Sequence, residues 1–220
     1  MKIFHIYQRL FFFFLFLASN VHCFAQLEFV ENKGQWASPV KFRSIVNNGS
    51  FFLEKNGFTV AVHKPEDLNA ISEAMHGHSH SNKAAPKSSI PFEKLPLRSH
   101  AYKVSFFGGN GAAQMIPGRA LNSHCNFFLG NDRNKWATDC KLFGEVLYKD
   151  VYPNIDVRYY NDGTTLKYDF IVRPGGNPNA IGMRYEGVDG LTTDQGKLVI
   201  KTSVGDVKES EPFSYQATVK

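Results

Sequence analysis

The chain has 220 residues and a formal net charge of +5, with 25 basic and 20 acidic residues. Its length is sufficient for a full hydrophobic core. The basic residues are scattered among acidic ones and their excess is small, so the composition argues against a nucleic-acid partner.

The first 25 residues resemble a secretory signal peptide. Two basic residues precede an unbroken apolar run at 10–18. That run is shorter than the roughly 20 residues of a membrane span and is typical of a signal h-region. Small residues at the −3 and −1 positions predict cleavage between Ala25 and Gln26. The alternatives are a lipoprotein acylated on Cys23 and an uncleaved anchor.

Removal of residues 1–25 leaves 23 basic and 20 acidic residues, a net charge of +3. No later stretch is apolar enough to span a bilayer, so no membrane span is expected after cleavage. The mature protein is therefore expected outside the cell or at the cell surface.

Residues 26–63 predict an N-terminal β-meander. Val40 and Phe42 alternate with polar neighbours, as do Phe58, Val60 and Val62. This alternation is typical of half-buried strands. Asn- and Gly-containing turns at 47–50 and 55–57 separate the three strands.

Residues 64–98 interrupt this pattern and predict a flexible, His-containing insertion. The segment is rich in Pro, Ser, Lys and His and has little periodic hydrophobicity. One short helix is expected over 65–75, with Pro65 in its first turn and Leu68, Ile71 and Met75 along one face.

Residues 99–220 predict the main β part of the same domain. Candidate strands lie at 100–106, 125–129, 143–149, 155–160, 166–173, 180–186, 197–202, 205–209 and 213–216. A turn or one helical turn is expected at 131–136. About ten short, mainly antiparallel strands with almost no helix predict an all-β fold of the β-sandwich type. Six tyrosines on or next to these strands are expected to pack in that core rather than bind a ligand: Tyr148, Tyr152, Tyr159, Tyr160, Tyr168 and Tyr185.

Cys125 and Cys140 are the two cysteines of the mature chain. An oxidising compartment favours a disulfide between them, which would hold the Trp136 loop against the sheet. The alternative is a pair of free thiols.

His76, His78 and His80 form the most unusual local pattern, because three imidazoles close together are able to bind Zn, Cu or Ni. The alternative is a His-rich loop without a metal role, since composition alone supports the site. No other cofactor is indicated.

No known catalytic motif is present in the sequence. Asp150, Asp156, Asp169 and Glu186 are candidates for a glycosidase pair, but each occupies an outward position where carboxylates are ordinarily solvated. No pair is brought together by the sequence pattern, so no catalytic residue is assigned.

Seven strings, taken together and in order, resemble an N-terminal domain of unknown function in large secreted proteins of Bacteroidota. They are 27–36 (LEFVENKGQW), 52–58 (FLEKNGF), 100–106 (HAYKVSF), 126–132 (NFFLGND) with Lys135-Trp136, 151–156 (VYPNID), 166–172 (LKYDFIV) and 184–187 (RYEG). The resemblance implies a module that precedes β-propeller (SBBP) repeats, PKD or other Ig-like modules and a type IX secretion sorting domain. It supplies no catalytic residue.

The expected function is a non-catalytic N-terminal module of a secreted or cell-surface protein, with a structural, adhesive or interaction role. Its expected partners are neighbouring domains of a larger protein and surface glycans or proteins. The alternative is a secreted carbohydrate-active enzyme or carbohydrate-binding domain.

Overall fold

The computed structural model describes residues 28–76, 94–162 and 165–216, which form three antiparallel sheets. The strands are β1 (Phe29–Glu31), β2 (Val40–Val46), β3 (Gly49–Glu54), β4 (Gly57–His63), β5 (Ser99–Phe106), β6 (Gln114–Pro117), β7 (Ala120–Phe127), β8 (Ala137–Phe143), β9 (Glu145–Tyr152), β10 (Ile155–Asn161), β11 (Leu166–Val172), β12 (Met183–Glu186), β13 (Gly190–Asp194), β14 (Lys197–Lys201) and β15 (Val207–Glu209). The helices are α1 (Pro65–His76) and two 3₁₀ turns, Arg133–Lys135 and Pro178–Ala180.

The larger sheet has eight strands in the order β12-β5-β4-β3-β2-β1-β8-β7. The predicted meander is confirmed as β2, β3 and β4, joined by tight turns. Gly57 at the second turn is required by close approach, because a Cβ there would lie 2.0 Å from the Val104 carbonyl oxygen. The second sheet has four strands in the order β11-β10-β9-β6.

The two sheets pack face to face over an aromatic core, which confirms the predicted all-β sandwich. Phe51 and Phe58 of the larger sheet contact Tyr159 of the smaller one, with ring centroids 5.6 and 6.0 Å apart. Phe106 contacts Tyr148 and Tyr152 in the same way. The expectation that tyrosines pack rather than bind is confirmed for Tyr148, Tyr152 and Tyr159, which are fully buried.

A third sheet, β13-β14-β15, closes one side of the sandwich. Its Ile200 is fully buried in the main core. Glu209 on β15 accepts hydrogen bonds from the hydroxyls of Tyr168 (2.7 Å) and Tyr185 (3.1 Å). These tyrosines lie on β11 and β12, the edge strands of the two sheets, so one carboxylate connects all three sheets.

The insertion begins with helix α1, as the sequence predicts. Asp67 near its start is buried and accepts three hydrogen bonds from the Arg98 backbone and guanidinium, at 2.9, 2.9 and 2.5 Å. These bonds lower the pKa of Asp67 to about 2. They attach the helix to the start of β5. No helix in the described ranges has both the length and the hydropathy needed to cross a bilayer.

The structure corrects the predicted strand list in two ways. The described ranges contain 15 strands rather than about ten, because short segments such as β1, β6 and β13 pair despite weak alternation. The strand predicted at 213–216 is wrong. Phe213 and Tyr215 lie in a segment outside the sheets, where both rings are exposed and stack on each other with centroids 6.1 Å apart.

Candidate functional site

The segment 32–36 forms a loop organised by the side chain of Asn32. Asn32 Nδ2 donates to the carbonyl oxygens of Trp36, Ala37 and Val40 at 2.8–3.2 Å. Its Oδ1 accepts from the backbone N–H of Gly34 and of Trp36. The two Nδ2 protons are shared among three carbonyls, so one amide contacts five backbone groups of the turn, which explains why an Asn-x-Gly sequence occurs here.

This loop is fastened to β8. Gln35 is buried, and its Nε2 donates to the Glu31 carbonyl at 2.8 Å and to Cys140 Sγ at 3.5 Å. Lys33 Nζ donates to the carbonyls of Thr138 and Asp139 at 3.3 and 2.8 Å. Because the contacts of Gln35 with Cys140 and of Lys33 with β8 join residues more than 100 positions apart, the N-terminal loop fixes the base of the β7–β8 hairpin.

The structure does not contain the predicted disulfide: Cys125 and Cys140 are both free thiols. The β7–β8 register places the two residues opposite each other. The Cys140 sulfur, however, accepts the hydrogen bond from Gln35 and is fully buried. Burial raises the pKa of the Cys140 thiol, which keeps it protonated and weakly reactive. The base of the hairpin is held by side-chain packing and hydrogen bonds instead.

Aromatic contacts complete the base. Trp36 packs edge-to-face on Phe127 with centroids 5.2 Å apart. The Arg43 guanidinium lies over the Trp36 ring at 5.5 Å and over Phe52 at 5.9 Å. The same guanidinium donates to Ser50 Oγ at 2.9 and 3.1 Å, so its position is fixed. These rings are half-buried and form a support under the hairpin.

Residues 128–136, here called the hairpin loop, connect β7 to β8. Phe128 packs edge-to-face on Trp136 at 5.3 Å, and Trp136 Nε1 donates to the Gly130 carbonyl at 3.0 Å. Asp132 caps the 3₁₀ turn by accepting the Asn134 N–H at 3.0 Å. The loop therefore has a defined internal structure, built from its own backbone and two aromatic rings.

The outer surface of the hairpin loop is apolar and basic. The exposed fractions of Phe128, Leu129 and Trp136 are 61%, 44% and 37%. Arg133 lies over the Trp136 ring at 5.4 Å. The sequence pattern missed this surface, since 125–129 predicts a continuous apolar strand. The strand ends at Phe127, and the next two apolar residues are left in the loop.

Three of the four candidate carboxylates form ion pairs or hydrogen bonds within the fold. Asp150 and Asp156 both contact one guanidinium nitrogen of Arg173, the Asp156 contact being 3.3 Å. The expectation that Asp156 is solvated is wrong: it is 6% exposed and also accepts the Asp150 N–H at 2.7 Å. Asp169 accepts a 3.4 Å hydrogen bond from Tyr160, while Glu186 is exposed on edge strand β12.

The remaining predicted positions lie at the limits of the described residues. His76 is the last residue of α1, and His78 and His80 lie outside the described residues, as do Ala25 and Gln26. Within the described part of the chain, no group of three or more His, Cys, Asp or Glu side chains is placed to hold a metal ion. The metal site and the signal cleavage stay predictions.

A family model described as a domain of unknown function, DUF7948, matches residues 29–220. No curated protein matches the chain. No solved structure matches it either.

Proposed function

The chain belongs to the DUF7948 family of domains of unknown function, and we propose that it is a non-catalytic interaction module of a secreted or cell-surface protein. The observation that carries this proposal is the hairpin loop, which presents three large apolar side chains to solvent on a fixed base. Exposed apolar surface in a well-packed domain is a common sign of an interaction site.

The hydrogen bonding of the buried and half-buried carboxylates supports the same function. Glu209 is held by two tyrosine hydroxyls, and Asp67 by Arg98. Such carboxylates stabilise the fold and are already bonded, whereas a general acid or base must be available to substrate.

The resemblance of seven strings to N-terminal domains of large secreted Bacteroidota proteins supports export. The signal-like segment 1–25 supports it independently. On this proposal the domain precedes further modules of a longer secreted protein, such as propeller repeats or Ig-like domains. Its role is then to attach or position those modules at the cell surface.

The alternative is a carbohydrate-active enzyme, and Asp150 with Asp156 favours it most, because both carboxylates contact the same Arg173 nitrogen. Two close carboxylates are the usual glycosidase machinery. Here, however, the Arg173 guanidinium contacts both carboxylates and holds them in place. The pair is better suited to fixing the turn between β9 and β10.

The test is a turnover assay of the purified protein on a broad panel of glycans and peptides, with Asp156→Asn beside it. We expect no turnover by either. Turnover that Asp156→Asn abolishes while the fold is retained would overturn the proposal in favour of the enzyme. Mass spectrometry of the protein recovered from source cells tests export separately, and an N-terminus at Gln26 is expected.

A further inference from the structure

The hairpin loop combines apolar and cationic groups on one exposed turn. Phe128, Leu129 and Trp136 supply the apolar surface. Arg133 and Lys135 are both exposed and, among the described residues, neither forms an ion pair. The nearest acid in sequence, Asp132, is engaged by the Asn134 N–H. Asp132 pairs with neither cation, and the two positive charges exceed its single negative one, so the loop presents net positive charge to an external anion.

The polar N–H groups of Trp136 are directed inward. The indole N–H of Trp136, its one hydrogen-bond donor, is used by the Gly130 carbonyl. The backbone N–H of Trp136 is used by the Arg133 carbonyl. What Trp136, Phe128 and Leu129 offer outward is hydrocarbon. An aliphatic leucine beside the two rings adds little to the binding of a sugar, whereas it is favoured among acyl chains.

We propose that the hairpin loop docks on a lipid surface that carries anionic head groups. Aromatic side chains are favoured at the boundary between head groups and acyl chains, and leucine is favoured just below it. Arg and Lys beside them meet the negative head groups, and their aliphatic stems extend along the apolar layer. This inference rests on the proposed interaction function and names its partner.

The base of the hairpin suits this role, because insertion needs a loop that keeps its shape. Trp36 and Phe127 pack beneath the loop, and Lys33 bonds to the β8 carbonyls. A preformed loop loses little conformational entropy on docking. Three side chains and two charges give a reversible attachment rather than a permanent anchor.

The test is co-sedimentation of the purified protein with phosphatidylcholine vesicles, with and without phosphatidylglycerol. We expect binding that requires phosphatidylglycerol and weakens as salt rises. Arg133→Gln with Lys135→Gln should weaken it by about 10- to 30-fold, since each basic residue near the surface contributes about 1 kcal/mol. Phe128→Ser with Trp136→Ser should weaken it by about tenfold or more.

Matched controls lie elsewhere on the surface. Phe107 is 60% exposed and lies under Arg184 at 4.5 Å, so Phe107→Ser removes a similar ring from a similar environment. Lys197→Gln with Lys208→Gln removes the same charge from the third sheet. Both controls should bind vesicles as the wild type does, and unfolding midpoints verify that every variant is folded.

Three outcomes overturn the lipid assignment. They are no binding to anionic vesicles, an equal loss of vesicle affinity in the control variants, or binding to a soluble acidic polysaccharide from which vesicles do not displace the protein. The proposed function is tested apart from it on intact source cells. If the wild type binds cells but not vesicles, the lipid partner is wrong and the interaction module stands. If it binds neither, both fail.

Discussion

Tyr148 and Tyr159 are buried in the sandwich core with their ring centroids 5.5 Å apart, and together they provide a matched test of the fold. The Tyr148 hydroxyl crosses between the sheets and donates to the Glu54 carbonyl at 2.6 Å. The Tyr159 hydroxyl is equally buried but has no hydrogen-bond partner among the described residues. Tyr→Phe at each position removes one oxygen and leaves the ring contacts intact.

The expected effects differ in sign. Tyr148→Phe should lower the free energy of unfolding by about 1–2 kcal/mol, because it deletes a buried hydrogen bond and leaves a carbonyl less well satisfied. Tyr159→Phe should leave stability unchanged or raise it by about 1 kcal/mol, because it removes a desolvated hydroxyl. Burial raises the pKa of both phenols, so both are neutral and their ionisation does not enter the comparison.

The assay is urea unfolding of the wild type and the two variants, followed by thermal unfolding. In a domain of this size each kcal/mol corresponds to roughly 2–4 °C in Tm. Equal destabilisation by both substitutions would refute the reasoning, as would a Tyr159→Phe variant less stable than Tyr148→Phe. Either result would mean that the inter-sheet register around Glu54 differs from the one described.

Three further predictions concern a buried carboxylate, a carboxylate shared by two tyrosines, and the histidine pattern. The pKa of Asp67 is about 2 in the folded protein and about 3.9 in the unfolded chain. Its contribution to the free energy of unfolding is therefore complete above the unfolded pKa and is lost as pH falls toward 2. Tm should fall less steeply between pH 5 and pH 2 in Asp67→Asn than in the wild type. Glu209→Gln should cost about 1–2 kcal/mol in urea unfolding, because an amide nitrogen cannot accept a tyrosine hydroxyl, whereas Glu186→Gln on the exposed edge should cost nothing measurable. Calorimetry should show micromolar or tighter Zn or Cu binding that is lost when His76, His78 and His80 are replaced together by Ala. Binding only at millimolar metal would mean that the segment is His-rich but holds no specific metal site.

The sandwich could be predicted because its central strands alternate strongly. Phe58, Val60 and Val62 alternate with less apolar neighbours, and Asn-Gly turns lie nearby. This pattern predicts antiparallel strands joined by tight turns, with one face in the core. The edge strand β6 could not be predicted, since it is defined by pairing with the distant strand β9 rather than by its own periodicity.

The candidate site was only partly readable from the sequence. Cys125 and Cys140 do face each other across one ladder, but the sequence could not indicate that Gln35, 105 residues away from Cys140, bonds to its sulfur. The buried pairing of Asp156 with Arg173 was likewise hidden, because Arg173 lies beyond β11, on the far side of a hairpin from Asp156. Long-range side-chain contacts of this kind have no local signature.

The binding of the purified protein to intact source cells is the most direct test of the interaction function. Wild type and Phe107→Ser should bind saturably and with equal affinity. Phe128→Ser with Trp136→Ser should bind about tenfold or more weakly while unfolding at a similar midpoint. Equal binding by all three proteins, or no saturable binding by the wild type, would contradict the assignment of the hairpin loop as the interaction site.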